Sequence, residues 1–271
     1  MPGSEPSKLL VGLETIMREA GEIARETSRG EFKRWTKGHD HSPVSEGDIA
    51  VNNFLCARLG ALAPDVGWLS EETEDDDAAR DIRLALRRLW IVDPIDGTRA
   101  YIAGRDDWTV SVALVEDNRP IAAALYAPVT EEMFLGLAGT GTTLNGRAVQ
   151  ASAGEVLSGA RLAGPKRYVQ TFERLVKDAR PQPRIHSLAL RLTRVAQGEL
   201  DYALASSGSH DWDLAAADLL VHEAGGAMTG LTGQSLRYNQ SDTVHGALIA
   251  AGAARHASLI ELMRDRLSEF A

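Results

Sequence analysis

The chain has 271 residues, a formal net charge of −9 and 44% hydrophobic content. That is enough apolar material for one large domain or two closely packed ones. The acidic balance argues against a protein that grips nucleic acid by its phosphates, because that needs a positive face. The single cysteine, Cys56, forbids an intrachain disulfide, and its apolar-patterned surroundings predict a small buried hydrophobe. No run of 18 apolar residues exists and the first residues lack a signal-peptide layout, so the expected setting is the cytoplasm with no membrane contact.

Leu9, Leu13, Ile16, Met17, Ala20, Ile23 and Ala24 recur at helical spacing and predict a first amphipathic helix. Asp48 is placed to cap a second helix that runs to about Leu62 and ends before Pro64. Apolar runs at Leu89–Val92, Thr109–Val115, Ile121–Tyr126 and Met133–Leu137 read as closely spaced strands. Asn145-Gly146 is a turn signal, and a boundary is expected near Arg147, dividing the chain into 1–147 and 148–271. Beyond it, Leu188, Leu192 and Val195 predict a helix, and Leu200–Leu204 a strand. Asp213–Ala224 is a helix stopped by Gly225-Gly226. Ala247–Ala251 reads as a last strand, and His256–Phe270 as a closing helix. The pattern is an α+β half beside an α/β half, with the sheet order left open.

The strongest chemical signal is Trp90-Ile91-Val92-Asp93-Pro94-Ile95-Asp96-Gly97-Thr98. An apolar strand ends in two carboxylates, Pro94 is expected to stop it, and Gly97 permits a tight turn. Carboxylates at a strand end suit Mg²⁺, which prefers oxygen ligands, and the Gly97 and Thr98 amides are placed to meet an anion. Asp-Pro and Asp-Gly are also ordinary turn pairs. Ser70-Glu71-Glu72 follows an apolar stretch, and the run Glu74-Asp75-Asp76-Asp77 reads as solvated loop. Trp212-Asp213 opens an apolar helix, where an Asp by itself is an ordinary N-cap. Together the three segments read as a two-metal phosphatase site. Cations about 4 Å apart hold phosphate oxygens, acidify water and stabilise a leaving alkoxide.

Four motifs resemble those of the inositol monophosphatase superfamily: Ser42-Pro43-Val44-Ser45-Glu46-Gly47-Asp48, Ser70-Glu71-Glu72, Asp93-Pro94-Ile95-Asp96-Gly97-Thr98, and Trp212-Asp213 with Glu223-Ala224-Gly225-Gly226. The resemblance runs from about Leu9 to Ala251. It implies a layered αβαβα sandwich, often homodimeric, with lithium-sensitive Mg²⁺ chemistry on a small-molecule phosphate monoester and two or three cations per site. Carried over by position, Glu71, Asp93 and the Ile95 carbonyl hold one cation. Asp93, Asp96 and Asp213 hold a second, and Asp48 is either a weaker third ligand or a plain cap. Thr98 and Glu71 orient the attacking water, with Gly97 and Thr98 amides on the phosphate.

Leu69-Ser70-Glu71-Glu72, Asp107–Leu114 and Leu125-Tyr126-Ala127-Pro128-Val129 are similar to the 3′(2′),5′-bisphosphate nucleotidase branch. Ser206 stands where inositol-directed members carry a Glu. Arg191 is either a basic residue near a second phosphate or a surface Arg, and His210 either lines the pocket or is structural. The expected activity is conversion of 3′-phosphoadenosine 5′-phosphate to AMP. The alternatives are an inositol or sugar phosphatase and, less favoured by the intact carboxylate set, a regulatory binding protein. His39-Asp40-His41 is set aside as a polar loop without ligand spacing.

Overall fold

The computed structural model describes residues 5–30, 32–37 and 42–270; His39-Asp40-His41 lies outside them. Helix α1 (Glu5–Ser28) leads to a hairpin, β1 (Arg34–Lys37) and β2 (Ser42–Ser45), and then to α2 (Glu46–Leu62). Next come β3 (Gly67–Ser70), α3 (Asp77–Leu84), β4 (Arg88–Asp96) and α4 (Thr98–Ile102). A meander follows: β5 (Thr109–Glu116), β6 (Arg119–Ala127), β7 (Glu132–Leu137), β8 (Gly141–Leu144) and β9 (Arg147–Val149). The remainder is β10 (Arg161–Ala163), α5 (Lys166–Leu175), β11 (Arg180–Pro181), α6 (Leu188–Thr193), β12 (Tyr202–Ala205), β13 (Ser209–His210) and α7 (Asp211–Glu223). It ends with β14 (Gly226–Gly230), β15 (Val244–His245), β16 (Leu248–Gly252) and α8 (Ala253–Met263).

Among the described residues, β3 to β9 form a seven-stranded sheet in chain order, antiparallel except for the parallel pair β3/β4. A second, five-stranded sheet has the order β11-β10-β12-β16-β14. Side chains alternate across each strand and sort into three apolar layers. Trp90, Val92, Val112 and Leu114 point to α1 and α2, meeting Leu13, Met17, Val51 and Leu55. Leu89, Ile91, Ala113 and Val115 point the other way, into a core shared with α6, α7 and the inner face of the second sheet. Leu162, Tyr202, Leu204 and Ile249 on that sheet's outer face meet Tyr168 and Phe172 of α5 and Leu259 and Met263 of α8. The order is helix, sheet, helix, sheet, helix. Both faces of β4 and β5 are covered, which is why these strands are apolar at consecutive positions instead of alternating.

Several details differ from the sequence reading. The helix after β2 is capped by Ser45, whose side chain accepts from Gly47 N and Asp48 N, with Asp48 in the third helical position completing a capping box. Pro94 does not stop β4. The strand continues through a register shift between Asp93 and Asp96, a bulge at which the missing proline N–H costs no ladder bond. Cys56 is exposed, on a face of α2 that the α1–sheet core leaves uncovered. The closing helix stops at Met263, and a 3-10 turn at Leu267–Glu269 carries the chain to the buried Phe270. No helix among the described residues is long and apolar enough to cross a membrane.

Candidate active site

The bulge in β4 turns two carboxylates to one side. Asp93 Oδ1 accepts from Ile95 N at 3.0 Å, which fixes the carboxyl against the irregular backbone. Gly97 then takes φ +95°, and a Cβ there would sit 3.2 Å from Ser187 N, so both the turn and the close approach require glycine. The turn starts α4 at Thr98, as the Gly-Thr pair predicts. Asp96 reaches across to α6: Oδ2 accepts from Ala189 N at 2.7 Å and from Ser187 Oγ, and Oδ1 from Leu188 N at 3.2 Å. Asp96 thus sits at that helix's N-terminus, where the free amides favour an anion.

Asp213 arrives from the other half of the chain. Helix α7 begins at Asp211, with His210 as N-cap and Asp213 in the third helical position, its Oδ2 accepting from His210 N at 2.6 Å. Asp211, which the sequence reading passed over, anchors this turn: its oxygens accept from Asn239 N at 2.7 Å and contact His245 Nε2 at 2.7 Å. One oxygen from each of Asp93, Asp96 and Asp213 comes within 4.8 Å of the others. Glu71, just past β3, lies outside that group but lines the same cavity as Asp213, Gly97 and Thr98. Its Oε1 is 3.2 Å from Lys37 Nζ, which also donates to Glu71 O at 2.9 Å and pairs with Glu72. Asp48 is fully buried; its Oδ2 accepts from Ser45 N at 2.8 Å. The Thr98 hydroxyl lies 3.2 Å from Asp48 Oδ1 and 3.1 Å from Ile95 O, so its one proton is committed inside the protein.

So many buried carboxylates cannot all carry charge at ordinary pH without counter-charge. Burial, then Glu71, Asp96 and Asp213, pushes Asp93 well above the usual carboxylate range. Burial and then Asp96 do the same to Asp213. Burial also raises Asp96, although the Ser187, Ala189 and Leu188 donors pull it back. Burial lifts Glu71 to about 7, against the opposing pull of Lys37, and lifts Asp48 to about 6. An all-oxygen, carboxylate-rich donor set with this repulsion fits a hard divalent cation, which returns the groups to their ionised state.

The other expected contacts divide. Ser206 and Arg191 line a neighbouring cavity beside the one that holds Glu71 and Asp213. His210 lines neither; its ring stacks on Trp212 at 4.5 Å, and its Nδ1 is 3.1 Å from Thr243 Oγ1, the structural alternative. The sequence reading missed Arg99, Arg184 and His186, which line the carboxylate cavity, and Lys37, which pairs with Glu71. Arg184 and His186 lie in an irregular segment, and Lys37 and Arg99 sit on elements of four and five residues, too short to show a period, so only the fold brings them in.

Residues 5–267 match the model of the inositol monophosphatase family. The chain is 34% identical over 244 residues to inositol monophosphatase 3 of Solanum lycopersicum, covering 83% of this chain and 86% of the relative. It is 31% identical over 220 residues to the 3′(2′),5′-bisphosphate nucleotidase CysQ of Escherichia coli K12, covering 80% and 76%. The crystal structure of the extragenic suppressor protein suhB from Bartonella henselae superposes with a TM-score of 0.80 at 24% identity, over 96% of this chain and 99% of that one, a likeness of fold. With the acidic cluster in place and nearly the whole chain matched, the protein belongs to the inositol monophosphatase family of metal-dependent phosphoric monoester hydrolases.

Proposed function

We propose that this chain is a Mg²⁺-dependent, Li⁺-sensitive 3′(2′),5′-bisphosphate nucleotidase that takes 3′-phosphoadenosine 5′-phosphate to AMP. The observation that carries the metal chemistry is the convergence of Asp93, Asp96 and Asp213 within 4.8 Å from two sequence-distant elements. In this reading Glu71, Asp93 and the Ile95 carbonyl hold one cation, and Asp93, Asp96 and Asp213 a second, with Asp48 at a weaker third position. Bound Mg²⁺ would neutralise phosphate charge and make water more acidic.

The chain's own groups do the rest. The Thr98 hydroxyl donates its hydrogen bond to Asp48 Oδ1 or Ile95 O, so its lone pairs accept from a water and aim it. Glu71, held ionised beside the proposed cation, would take that water's proton. The Gly97 and Thr98 amides, at the start of α4, receive phosphate oxygens. Phosphoryl transfer needs such positioning and charge compensation more than covalent help. Residues 1–147 supply all these carboxylates except Asp213, which residues 148–271 supply. The same reading takes the protein as a cytoplasmic homodimer.

Ser206, short and uncharged, and Arg191 support a nucleotide over inositol, as does the likeness to CysQ. The second reading, an inositol or sugar phosphatase, is supported by the likeness to inositol monophosphatase 3. Steady-state kinetics with Mg²⁺ on 3′-phosphoadenosine 5′-phosphate and inositol 1-phosphate separates them. The nucleotide is expected to have the higher kcat/KM by about one to two orders of magnitude, the worth of one charge-assisted hydrogen bond. Equal or better turnover of inositol 1-phosphate would overturn the nucleotide assignment.

A further inference from the structure

The groups placed so far serve the attacking water and the phosphate, but not the alcohol that leaves. When the P–O bond to a sugar hydroxyl breaks, the departing oxygen is a strong base and needs a proton as the bond goes. Few side chains lining the carboxylate cavity can give one. Glu71 and Asp213 are proposed cation ligands and work there as ionised carboxylates. The Thr98 hydroxyl has its one hydrogen committed inside the protein. Arg99 and Arg184 do not release a proton at any ordinary pH. The remaining titratable side chain of that wall, among the described residues, is His186.

The ring of His186 is fixed from one side. Asp107 Oδ2 accepts from the His186 backbone N at 2.7 Å and lies 2.6 Å from ring Nδ1. Asp107 Oδ1 accepts from Arg105 Nε at 3.1 Å. Burial alone would raise the Asp107 carboxyl, but the His186 ring and amide and Arg105 outweigh it and hold it below the usual carboxylate range. An ionised Asp107 has only lone pairs to offer, so Nδ1 carries a hydrogen and donates it. Nε2, the other ring nitrogen, makes no hydrogen bond among the described residues. The side chain is 24% exposed, and the space it opens on is shared with Glu71, Thr98 and Asp213. The next residue lies against the turn proposed for phosphate: Ser187 N is 3.2 Å from where a Cβ on Gly97 would sit, and it donates to Asp107 O at 3.1 Å. Asp107 thus holds the segment by ring and backbone beside the reacting bond. A carboxylate that orients one ring nitrogen and leaves the other free is an acid–base arrangement recognised by geometry, not by sequence position.

We propose that His186, oriented by Asp107, is the general acid that protonates the leaving oxygen. This rests on the reading of the carboxylates as the site of phosphate-ester hydrolysis, and not on which ester is hydrolysed. In the step, the water oxygen bonds to phosphorus and one of its protons passes to Glu71. The bond from phosphorus to the ester oxygen breaks, its electron pair stays on that oxygen, and the oxygen takes the proton from His186 Nε2. The imidazolium becomes a neutral imidazole that keeps its Nδ1 hydrogen on Asp107. Solvent returns a proton to Nε2 and removes the one on Glu71, so no further reactant is consumed. Asp107 is a positioning residue, because it touches the ring and not the substrate.

Dependence on the leaving group separates an acid from a residue that only attracts phosphate or shapes the wall. A nitrophenolate leaves without a proton, whereas a sugar alkoxide does not. The test is steady-state kinetics of the full chain with Mg²⁺ on 4-nitrophenyl phosphate, phenyl phosphate, adenosine 3′,5′-bisphosphate and inositol 1-phosphate. Wild type is compared with His186→Asn and His186→Gln. Asparagine keeps a donor where Nδ1 stood and glutamine one where Nε2 stood, but neither amide gives up a proton. Each variant should lose kcat/KM on the better alkyl ester about a hundredfold more than on 4-nitrophenyl phosphate, with phenyl phosphate between. Circular dichroism confirms that the variants are folded. An equal loss on all the esters, or no loss on the alkyl esters, overturns the proposal. Inositol 1-phosphate as the better alkyl ester, with the leaving-group pattern intact, leaves the acid standing and removes the nucleotidase reading. A wild type that turns over neither alkyl ester overturns both.

Discussion

Replacing Glu71 by Gln should make the metal-free protein more stable, and the gain should grow with pH. Glu71 has its folded pKa raised from 4.5 to about 7, mainly by burial. The unfolded chain therefore releases this proton near pH 4.5, and the folded chain keeps it until about pH 7. Between those values the folded state binds more protons, so stability falls as pH rises, and above about 7 the loss is complete. A tenfold difference in proton affinity between the folded and unfolded chain is worth about 1.4 kcal/mol, so the full penalty is about 3 kcal/mol at pH 8 and about 1 kcal/mol at pH 5.5. A glutamine keeps the shape and an acceptor for Lys37 but gives up a charged partner, which returns part of the gain. Lys37 retains Glu72 and Glu71 O. The net expectation at pH 8 is about 1–3 kcal/mol, or a rise of about 2–5 °C in Tm for a chain of this size. Thermal unfolding in chelator at pH 5.5 and pH 8 measures it. Added Mg²⁺ should reverse the order, because wild type gains the binding free energy and the variant gains less. A Glu71→Gln protein that is less stable than wild type at pH 8 without metal would refute the electrostatic reasoning.

Asp93→Asn keeps the acceptor for Ile95 N but loses the charge shared by both proposed cation positions. Turnover should drop at least a hundredfold with the metal-free fold intact, checked by kinetics alongside thermal melts. Li⁺ should inhibit the Mg²⁺-supported reaction, and a phosphate-release assay unaffected by tens of millimolar Li⁺ would count against the family chemistry. Arg83→Ala should leave kcat near wild type but cost about 3 kcal/mol. The buried guanidinium pairs with Asp75 at 2.7 and 2.8 Å and donates to Asn239 Oδ1 at 2.8 Å and Gln240 O at 2.9 Å. Denaturant unfolding reads that loss directly.

Much of the fold was legible because its strands are short, apolar and closely spaced. β4 through β7 fall where the runs from Leu89, Thr109, Ile121 and Met133 placed them. The largely apolar Asp213–Ala224 stretch is legible as a helix, although burial between the two sheets leaves it little amphipathic contrast. The three aspartates were legible as motifs, and the family resemblance already put them on one cation; spacing alone did not show how Asp96 and Asp213 meet, which is through the stacking of the two sheets around α6 and α7. Pro94 misled because a proline usually ends a strand, while a bulge accommodates it. Asp48 misled because Ser45, three residues earlier, takes the cap and uses Asp48 as its partner. Lys37 is held to Glu71 by a contact 34 positions away in sequence. Arg184 lies in an irregular segment whose placement follows from α6, so neither leaves a pattern in the chain.

The proposed chemistry needs a hard cation at Asp93, Asp96 and Asp213. Phosphate release by chelator-treated protein, before and after Mg²⁺ is restored, for wild type and Asp213→Asn, tests that most directly. Activity should be absent in chelator, return with Mg²⁺ in wild type, and stay at least a hundredfold lower in Asp213→Asn. Full turnover in chelator, or a variant that keeps more than about a tenth of wild-type kcat, a loss of only about 1.4 kcal/mol, would contradict it.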